Sequence, residues 1–274
     1  MHDTAHVAPQ ITQGEFDKFK ALLYDVAGIE LSNAKKVLLV GRLTKRLKHL
    51  GLRTFGQYYA HVTDPAHPAE HQMMVDLLTT NETFFFREPA HFEFLKQRAA
   101  QARGTFRVWS AAASSGEEAY SIAMSLADTL GNRHWEIVGT DISQRVLARA
   151  RTGHYSTARL DGIPQHLLHK YCLKGINEES GTMLVMRNLR ERVRFVHSNL
   201  LAPRKDLGLF DVIFLRNVMI YFDNTTKRRV IANLLPSLKS DGCLIIGHSE
   251  SLTGLDTGLV PLQPTVYGRS RLPS

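Results

Sequence analysis

Four short stretches of this chain carry residue types at spacings able to do chemistry. The first runs from Val108 to Glu118 and reads as a strand, a turn of small residues (Ala111, Ala112, Ala113, Ser114, Ser115, Gly116) and a helix start. Small side chains let a ligand approach the backbone, and a helix amino terminus presents unpaired N–H groups. The Gly-x-Gly-x-x-Gly pattern of dinucleotide sites is absent. Glu117 and Glu118 would also repel a pyrophosphate, so a cationic ligand suits the turn better. An ordinary strand-to-helix turn, with acids favouring the helix dipole, has the same sequence. The second stretch, Gly139-Thr140-Asp141, closes the next strand. A carboxylate there can accept both hydroxyls of a ribose, or cap the following helix. Lying in one βαβ unit, the two stretches together favour an adenosine ligand without phosphates.

The third stretch spans Asn81 to Pro89 and places Phe84, Phe85 and Phe86 between an amide, a hydroxyl and the guanidinium of Arg87. Linkers are normally polar and flexible, and junctions between domains are where ligand clefts form, although a hydrophobic seam with a paired Arg87 reads alike. The fourth is an apolar strand from Phe210 that ends in Arg216, Asn217 and Tyr221. Ligands of open α/β sheets bind at the carboxyl ends of strands, which puts these three near a cleft unless they only cap the strand end. The thirteen histidines show no metal-ligand spacing, so no metal is expected. Cys172 and Cys243 stand far apart, with neither a disulfide nor a zinc pattern. Gly247-His248-Ser249-Glu250-Ser251 is not a nucleophile elbow, and no covalent catalysis is assigned.

The elements that must hold these residues are legible from periodicity. Thr12 and Glu15 have the spacing of a capping box, and Phe16, Phe19, Leu23 and Val26 then recur at helical spacing up to Gly28. A second helix is predicted from Asn33 to Leu50, with shorter ones over Phe55 to Val62 and Ala69 to Leu78. After Gly104 the pattern changes to strands alternating with helices: strands at 106–110, 135–141, 210–214 and 243–247, and helices at 117–130, 143–150 and 225–238. That alternation predicts βαβ units around a parallel sheet. Met183, Val185, Val193 and Phe195 sit at period two among turn signals, predicting a small antiparallel insertion at about 171–197. The expected organisation is a helical domain over 1–80, a linker and helix over 81–103 lining the cleft, and an α/β domain over 104–274.

The chain of 274 residues is 43% hydrophobic, enough for a sizeable core and against wholesale disorder. The polar Met1 to Gln10 and the lack of a long apolar run predict neither a secretory signal nor a membrane span, and cysteine usage suggests the cytoplasm. With 34 Lys and Arg against 26 Asp and Glu, the net charge of +8 admits an anionic partner. The surplus is concentrated. Between Leu31 and Thr63 stand Lys35, Lys36, Arg42, Lys45, Arg46, Lys48 and Arg53, with no acid at all.

Taken together, Asn81 to Glu88, Val108 to Glu118, Arg216 to Phe222 and Gly247 to Leu252 resemble the chemotaxis receptor glutamate methyltransferases, the CheR family, in the family's order and over nearly the whole chain. The resemblance implies an all-helical N-terminal domain and a Rossmann-like α/β domain binding S-adenosylmethionine, with a small antiparallel β-subdomain. It implies an S-adenosylmethionine-dependent protein-glutamate O-methyltransferase acting on methyl-accepting chemotaxis receptors. The family pattern places the cofactor against Asn81, Thr83, Arg87, Glu118, Asp141, Asn199, Leu200, Arg216 and Asn217. Asp141 would hold the ribose, Glu118 would face the cationic methionyl portion, and Arg87 and Tyr221 would lie closest to the transferring methyl.

A target glutamate, with an ordinary pKa of about 4.3, is already ionised at neutral pH, so its attack needs alignment rather than a general base. The basic residues Lys35, Arg42, Lys45, Arg46 and Arg53 gain a use as a dock for glutamate-rich receptor helices, set against a merely solvated helix face. Some family members bind a carboxy-terminal receptor pentapeptide on the β-subdomain by strand addition; the loop at that place here is residues 174–181, and whether this chain uses it so is left open. A monomer without nucleic acid is expected. The alternatives are a nucleic-acid methyltransferase, whose Asn/Asp-Pro-Pro-aromatic motif is replaced here by Arg216-Asn217-Val218-Met219, and a non-catalytic cofactor-binding receptor adaptor.

Overall fold

The computed structural model describes residues 9–269. The chain divides after Thr80 into two compact units. The first is helical: α1 (Gln13–Ala27), α2 (Lys36–His49), α3 (Phe55–Thr63) and α4 (Pro68–Leu78). Helix α1 begins at the Thr12/Glu15 capping box and stops at Gly28, whose φ of 70° a side chain would resist. Helix α3 opens on a second capping box, Thr54 with Gln57. The apolar stripes Phe16, Phe19 and Leu23, then Leu39, Leu43 and Leu47, are fully buried, together with Phe55, Tyr58 and Met74. Their spacing of three and four residues is what turns each stripe to one side of its helix.

The second unit runs α5 (Ala90–Gln101), β1 (Phe106–Ser110), α6 (Glu117–Leu130), β2 (Trp135–Asp141), α7 (Gln144–Thr152), β3 (His154–Ser156), α8 (Gln165–Tyr171), β4 (Cys172–Lys174), β5 (Thr182–Val185), α9 (Arg187–Arg190), β6 (Val193–His197), β7 (Phe210–Leu215), α10 (Asn224–Leu234), β8 (Leu238–Ile246), β9 (Val260–Gln263) and β10 (Val266–Gly268). Seven strands form a sheet in the order β6-β2-β1-β7-β8-β10-β9. The five from β6 to β8 are parallel, and β10 and β9 add antiparallel to them. Chain order reverses at β1, whose neighbours are β2 and β7, and a crevice opens at such a reversal beyond the carboxyl ends of the strands. Near-continuous apolar runs such as Val212 to Leu215 are buried on both faces, as parallel strands under helices must be.

The antiparallel insertion differs from its expected span. Its sheet has the order β3-β5-β4, and Val193 to Phe195 belong instead to β6, the edge strand paired in parallel with β2. An edge strand covered on one face alternates just as a hairpin strand does, so period two alone misassigns it. The missed strand, His154–Ser156, has three residues and carries no periodic signal of its own.

Candidate active site

Each candidate side chain of the second unit stands at or just beyond the carboxyl end of a strand, or on the segment before α5. Beyond β1 the backbone turns sharply through Ser114, at φ 49°, and Gly116, at φ 97°. A Cβ on Gly116 would come within 2.9 Å of the Ala150 Cβ, so only glycine fits between this turn and α7. The turn is tied to the end of β2. Ser114 N–H donates to Oδ2 of Asp141 at 2.9 Å, and Ser143 N–H donates to Oδ1 at 2.9 Å. Each oxygen of the buried Asp141 carboxylate thus accepts a backbone amide, one from the turn after β1 and one from the start of α7. The Ser114 hydroxyl donates to the carbonyl of Asn81 at 2.8 Å, bringing the segment before α5 to the same place. Ser198 N–H donates to the carbonyl of Asp141 at 2.9 Å, which sets Asn199 beside it. The Asn199 Oδ1 accepts from Leu201 N–H at 2.9 Å, and the Leu200 carbonyl accepts from Asn233 Nδ2 at 2.9 Å.

Beyond β7 lies a second cluster. The Arg216 side chain is 1% exposed and sits between two carboxylates, Glu118 Oε2 at 3.0 Å and Glu88 Oε2 at 2.9 Å, while also donating to the Arg87 carbonyl. Ser110 Oγ donates to the other oxygen of Glu118 at 2.7 Å. Burial pushes the Glu118 carboxyl above the usual range, against the pull of Arg216 and Ser110. Burial raises Glu88 as well, but there the Arg216 charge and the hydrogen bonds outweigh it and hold the carboxyl below its ordinary value.

The turn after Arg216 is organised by a residue to which sequence reasoning gave no role. The Glu250 carboxylate accepts four backbone N–H bonds: from Asn217 at 2.9 Å, Val218 at 2.9 Å, Met219 at 2.7 Å and Gly247 at 2.7 Å. Asn217 takes a left-handed φ of 57° and donates from Nδ2 to Glu88 Oε1 at 3.3 Å. A Cβ at Gly247 would stand 2.6 Å from that Nδ2 and 2.9 Å from Glu250 Oε2, so a side chain there would push both groups out of place. Glu250 and Glu88 both lie inside stretches singled out above. An acid in a small-residue turn after an apolar strand was the available signal for Glu250.

The remaining candidates are placed as follows. The Thr83 carbonyl accepts from Arg159 Nη2 at 3.2 Å, and Arg159 also pairs with the buried Glu117 at 3.5 Å. The Arg87 guanidinium lies 5.5 Å from the Phe84 ring centroid and donates to the Glu82 carbonyl at 3.5 Å. Tyr221 ends a single 3-10 turn, Met219–Tyr221, and is half-buried. Among the described residues its hydroxyl has no hydrogen-bond partner, and Arg87 and Tyr221 share no hydrogen bond or ring contact. The structure thus joins Asn81 with Asp141 and Asn199, and Glu118 with Arg216 and Asn217.

In the helical unit the basic stretch is not uniformly solvated. Arg46 is engaged side-on with Glu70, Nε to Oε1 at 2.8 Å and Nη2 to Oε2 at 2.5 Å, and the Glu70 side chain is 7% exposed. Tyr58 donates to the same carboxylate at 2.9 Å. Arg42 donates to the carbonyls of Leu78 at 2.9 Å and Thr79 at 3.1 Å, a cation on the negative end of α4. Lys35, Lys45 and Arg53 are exposed.

A parallel sheet whose chain order reverses at β1, with a buried acid ending the second strand and an acid-guanidinium pair in place of a phosphate loop, has the form of the α/β methyltransferases of the S-adenosylmethionine type. Comparison with known proteins is specific. Residues 14–79 match the family model described as CheR methyltransferase, all-alpha domain, and residues 81–267 match CheR methyltransferase, SAM binding domain. A chemotaxis protein methyltransferase of Escherichia coli (strain K12) is 41% identical over 264 residues, covering 95% of this chain and 92% of the relative. The protein of that name from Salmonella typhimurium is 40% identical with the same coverage. Chemotaxis protein methyltransferase 2 of Pseudomonas aeruginosa is 39% identical over 262 residues, 93% of each chain. The chain belongs to the CheR methyltransferase family.

Proposed function

We propose that this protein transfers the methyl group of S-adenosylmethionine to glutamate side chains of methyl-accepting chemotaxis receptors, giving glutamyl methyl esters and S-adenosylhomocysteine. The observation that carries this reading is that the Asp141 group, beyond β2, and the Glu118–Arg216 group, beyond β1 and β7, stand at the carboxyl ends of neighbouring parallel strands, in a chain whose relatives are named chemotaxis protein methyltransferases. The cofactor, when bound, supplies a methyl group activated by a sulfonium charge. Asp141 holds the ribose hydroxyls, and Asn199 and Leu200 border the adenine. Glu118 faces the cationic end, and its burial makes that charge complementarity strong. Asn81, Thr83, Arg87 and Asn217 complete the pocket.

The acceptor carboxylate arrives ionised, so the protein has no proton to remove from it. Its task is to line up oxygen, methyl and sulfur and to keep water out, effects that together supply on the order of 7–11 kcal/mol in favourable cases. The Tyr221 hydroxyl, unengaged within the described chain, orients the acceptor by one hydrogen bond, and Arg87 steers it by charge. Lys35, Lys45 and Arg53 dock the glutamate-rich receptor helix, while Arg42 and Arg46 serve that dock through the helices they brace. Exposed Leu173 and Ile176, on and after β4, support a contact with a receptor tail peptide added along the small sheet. No helix among the described residues is long and apolar enough to cross a membrane. The protein works as a monomer in the cytoplasm, where the cytoplasmic regions of the receptors lie.

The direct test offers receptor cytoplasmic fragments and total RNA side by side with labelled S-adenosylmethionine. Base-labile label released as methanol from the receptor fragment is expected. Transfer to RNA would establish the nucleic-acid reading instead, and cofactor binding without transfer to any receptor would mark an adaptor.

A further inference from the structure

Glu88, His91 on α5 and His248 after β8 each offer one donor atom, and these atoms lie within 4.8 Å of one another. His91 is 2% exposed, and its Nδ1 is sealed from solvent without a hydrogen-bond partner. The state of that nitrogen depends on the other side of the ring. Nε2 lies 2.6 Å from Thr265 Oγ1, and the single hydroxyl proton of Thr265 goes to the Pro264 carbonyl at 2.5 Å. In the tautomer in which Thr265 accepts from Nε2–H, Nδ1 carries a lone pair. In that tautomer the lone pair faces Oε2 of Glu88 at 3.4 Å, two donor atoms turned toward one space.

A cation placed there satisfies both donors. Two donors, each about 2.0–2.1 Å from a tetrahedral Zn2+, stand about 3.4 Å apart, the separation found between His91 Nδ1 and Glu88 Oε2. The His248 ring lies 5.0 Å from that of His91, at 73°, and is exposed, giving both a third donor and a path from solvent. Metal-bound histidines donate their second N–H to a fixed acceptor, and Thr265 is already in that position. Glu88 is likewise braced, by Asn217 Nδ2 at 3.3 Å and His248 N–H at 3.2 Å on Oε1 and by Arg216 on Oε2.

We propose that Glu88, His91 and His248 form a binding site for a borderline divalent transition ion, Zn2+, with its fourth position open to water. Two imidazoles and one carboxylate suit Zn2+ and are poor for Mg2+ or Ca2+, which require oxygen donors. Local spacing conceals such a site, because its third ligand comes from a strand end remote in sequence from the other two.

The test uses the tag-free full chain, stripped with a chelator, titrated with Zn2+ by calorimetry and with Co2+ by visible absorption. One equivalent is expected to bind with a Kd of about 1 µM or tighter, with a four-coordinate Co2+ spectrum, and to weaken at least tenfold in His248→Ala and in Glu88→Gln. His248 is exposed, so His248→Ala carries the test even if a His91 variant fails to fold. No binding tighter than about 100 µM, or a loss below tenfold in His248→Ala, overturns the proposal.

Discussion

Glu118, on the first turn of α6, accepts a 3.0 Å hydrogen bond from Arg216 at the end of β7, and so joins the helix after β1 to the neighbouring strand end by a largely buried ion pair. Neither charge is tolerable alone there. Arg216→Ala should cost about 3–5 kcal/mol of stability, because it strands two buried carboxylates, whereas Glu118→Gln keeps a hydrogen-bonding group and should cost less. In the folded Glu118→Gln protein, affinity for S-adenosylhomocysteine should fall at least tenfold. Urea unfolding and calorimetry read the two effects separately. Unchanged affinity in Glu118→Gln would remove Glu118 from the cofactor site.

Glu250 holds the Asn217 to Met219 turn through three of its four backbone bonds. Glu250→Gln replaces one acceptor oxygen by an amide that meets N–H donors, which should destabilise the chain by about 2 kcal/mol and loosen Asn217. Weaker S-adenosylhomocysteine binding together with a lower urea midpoint is the expected pair of results.

Arg87→Ala and Tyr221→Phe should lower turnover about 10- to 100-fold, more than they weaken S-adenosylhomocysteine binding, because aligning the acceptor is a task of both and Arg87 is only one of several residues on the cofactor. Rapid-quench methyl transfer to a receptor fragment, with calorimetry of the product complex, measures both. Normal turnover in both variants would refute the assignment.

Charge reversal at Lys35 and Lys45, both exposed, should raise the apparent KM for receptor fragments and leave cofactor affinity unchanged, with the effect shrinking at high salt. Arg46→Ala should behave differently. It leaves the Glu70 carboxylate buried, with an expected loss of about 2 kcal/mol, at the low end for a broken pair because Arg46 is itself part-exposed.

Glu70 also gives the helical unit an acid limit. The Arg46 hydrogen bonds, against the opposing effect of burial, hold its carboxyl below the ordinary 4.5. With the folded value depressed, the unfolded chain binds the proton first as pH falls. The stabilisation is therefore complete above 4.5 and is lost as pH drops through the lower folded value. Thermal melts should show the gap between wild type and Glu70→Gln closing as pH falls from about 6 to about 3. A constant gap would mean that Glu70 does not titrate differently on folding.

Much of this architecture is written locally. The Thr12/Glu15 cap, the helix Glu117–Leu130 and the strand Trp135–Asp141 follow from spacing over a few residues, because caps and periodicity act within a turn or a pleat. Asp141, Arg216 and Asn217 are legible for the same reason, as polar residues ending apolar strands. Their partners are not. The Arg46 to Glu70 pair spans two helices, Glu88 reaches Arg216 from a segment before α5, and Glu250 gathers amides from two separate turns. Whether Val193 to Phe195 join the large sheet or the small one is equally a matter of which strand edge they meet. The sequence by itself determined the elements and the polar residues at their ends. Only tertiary structure decided which charges are buried against one another, because a side chain's partner depends on where distant backbone segments converge.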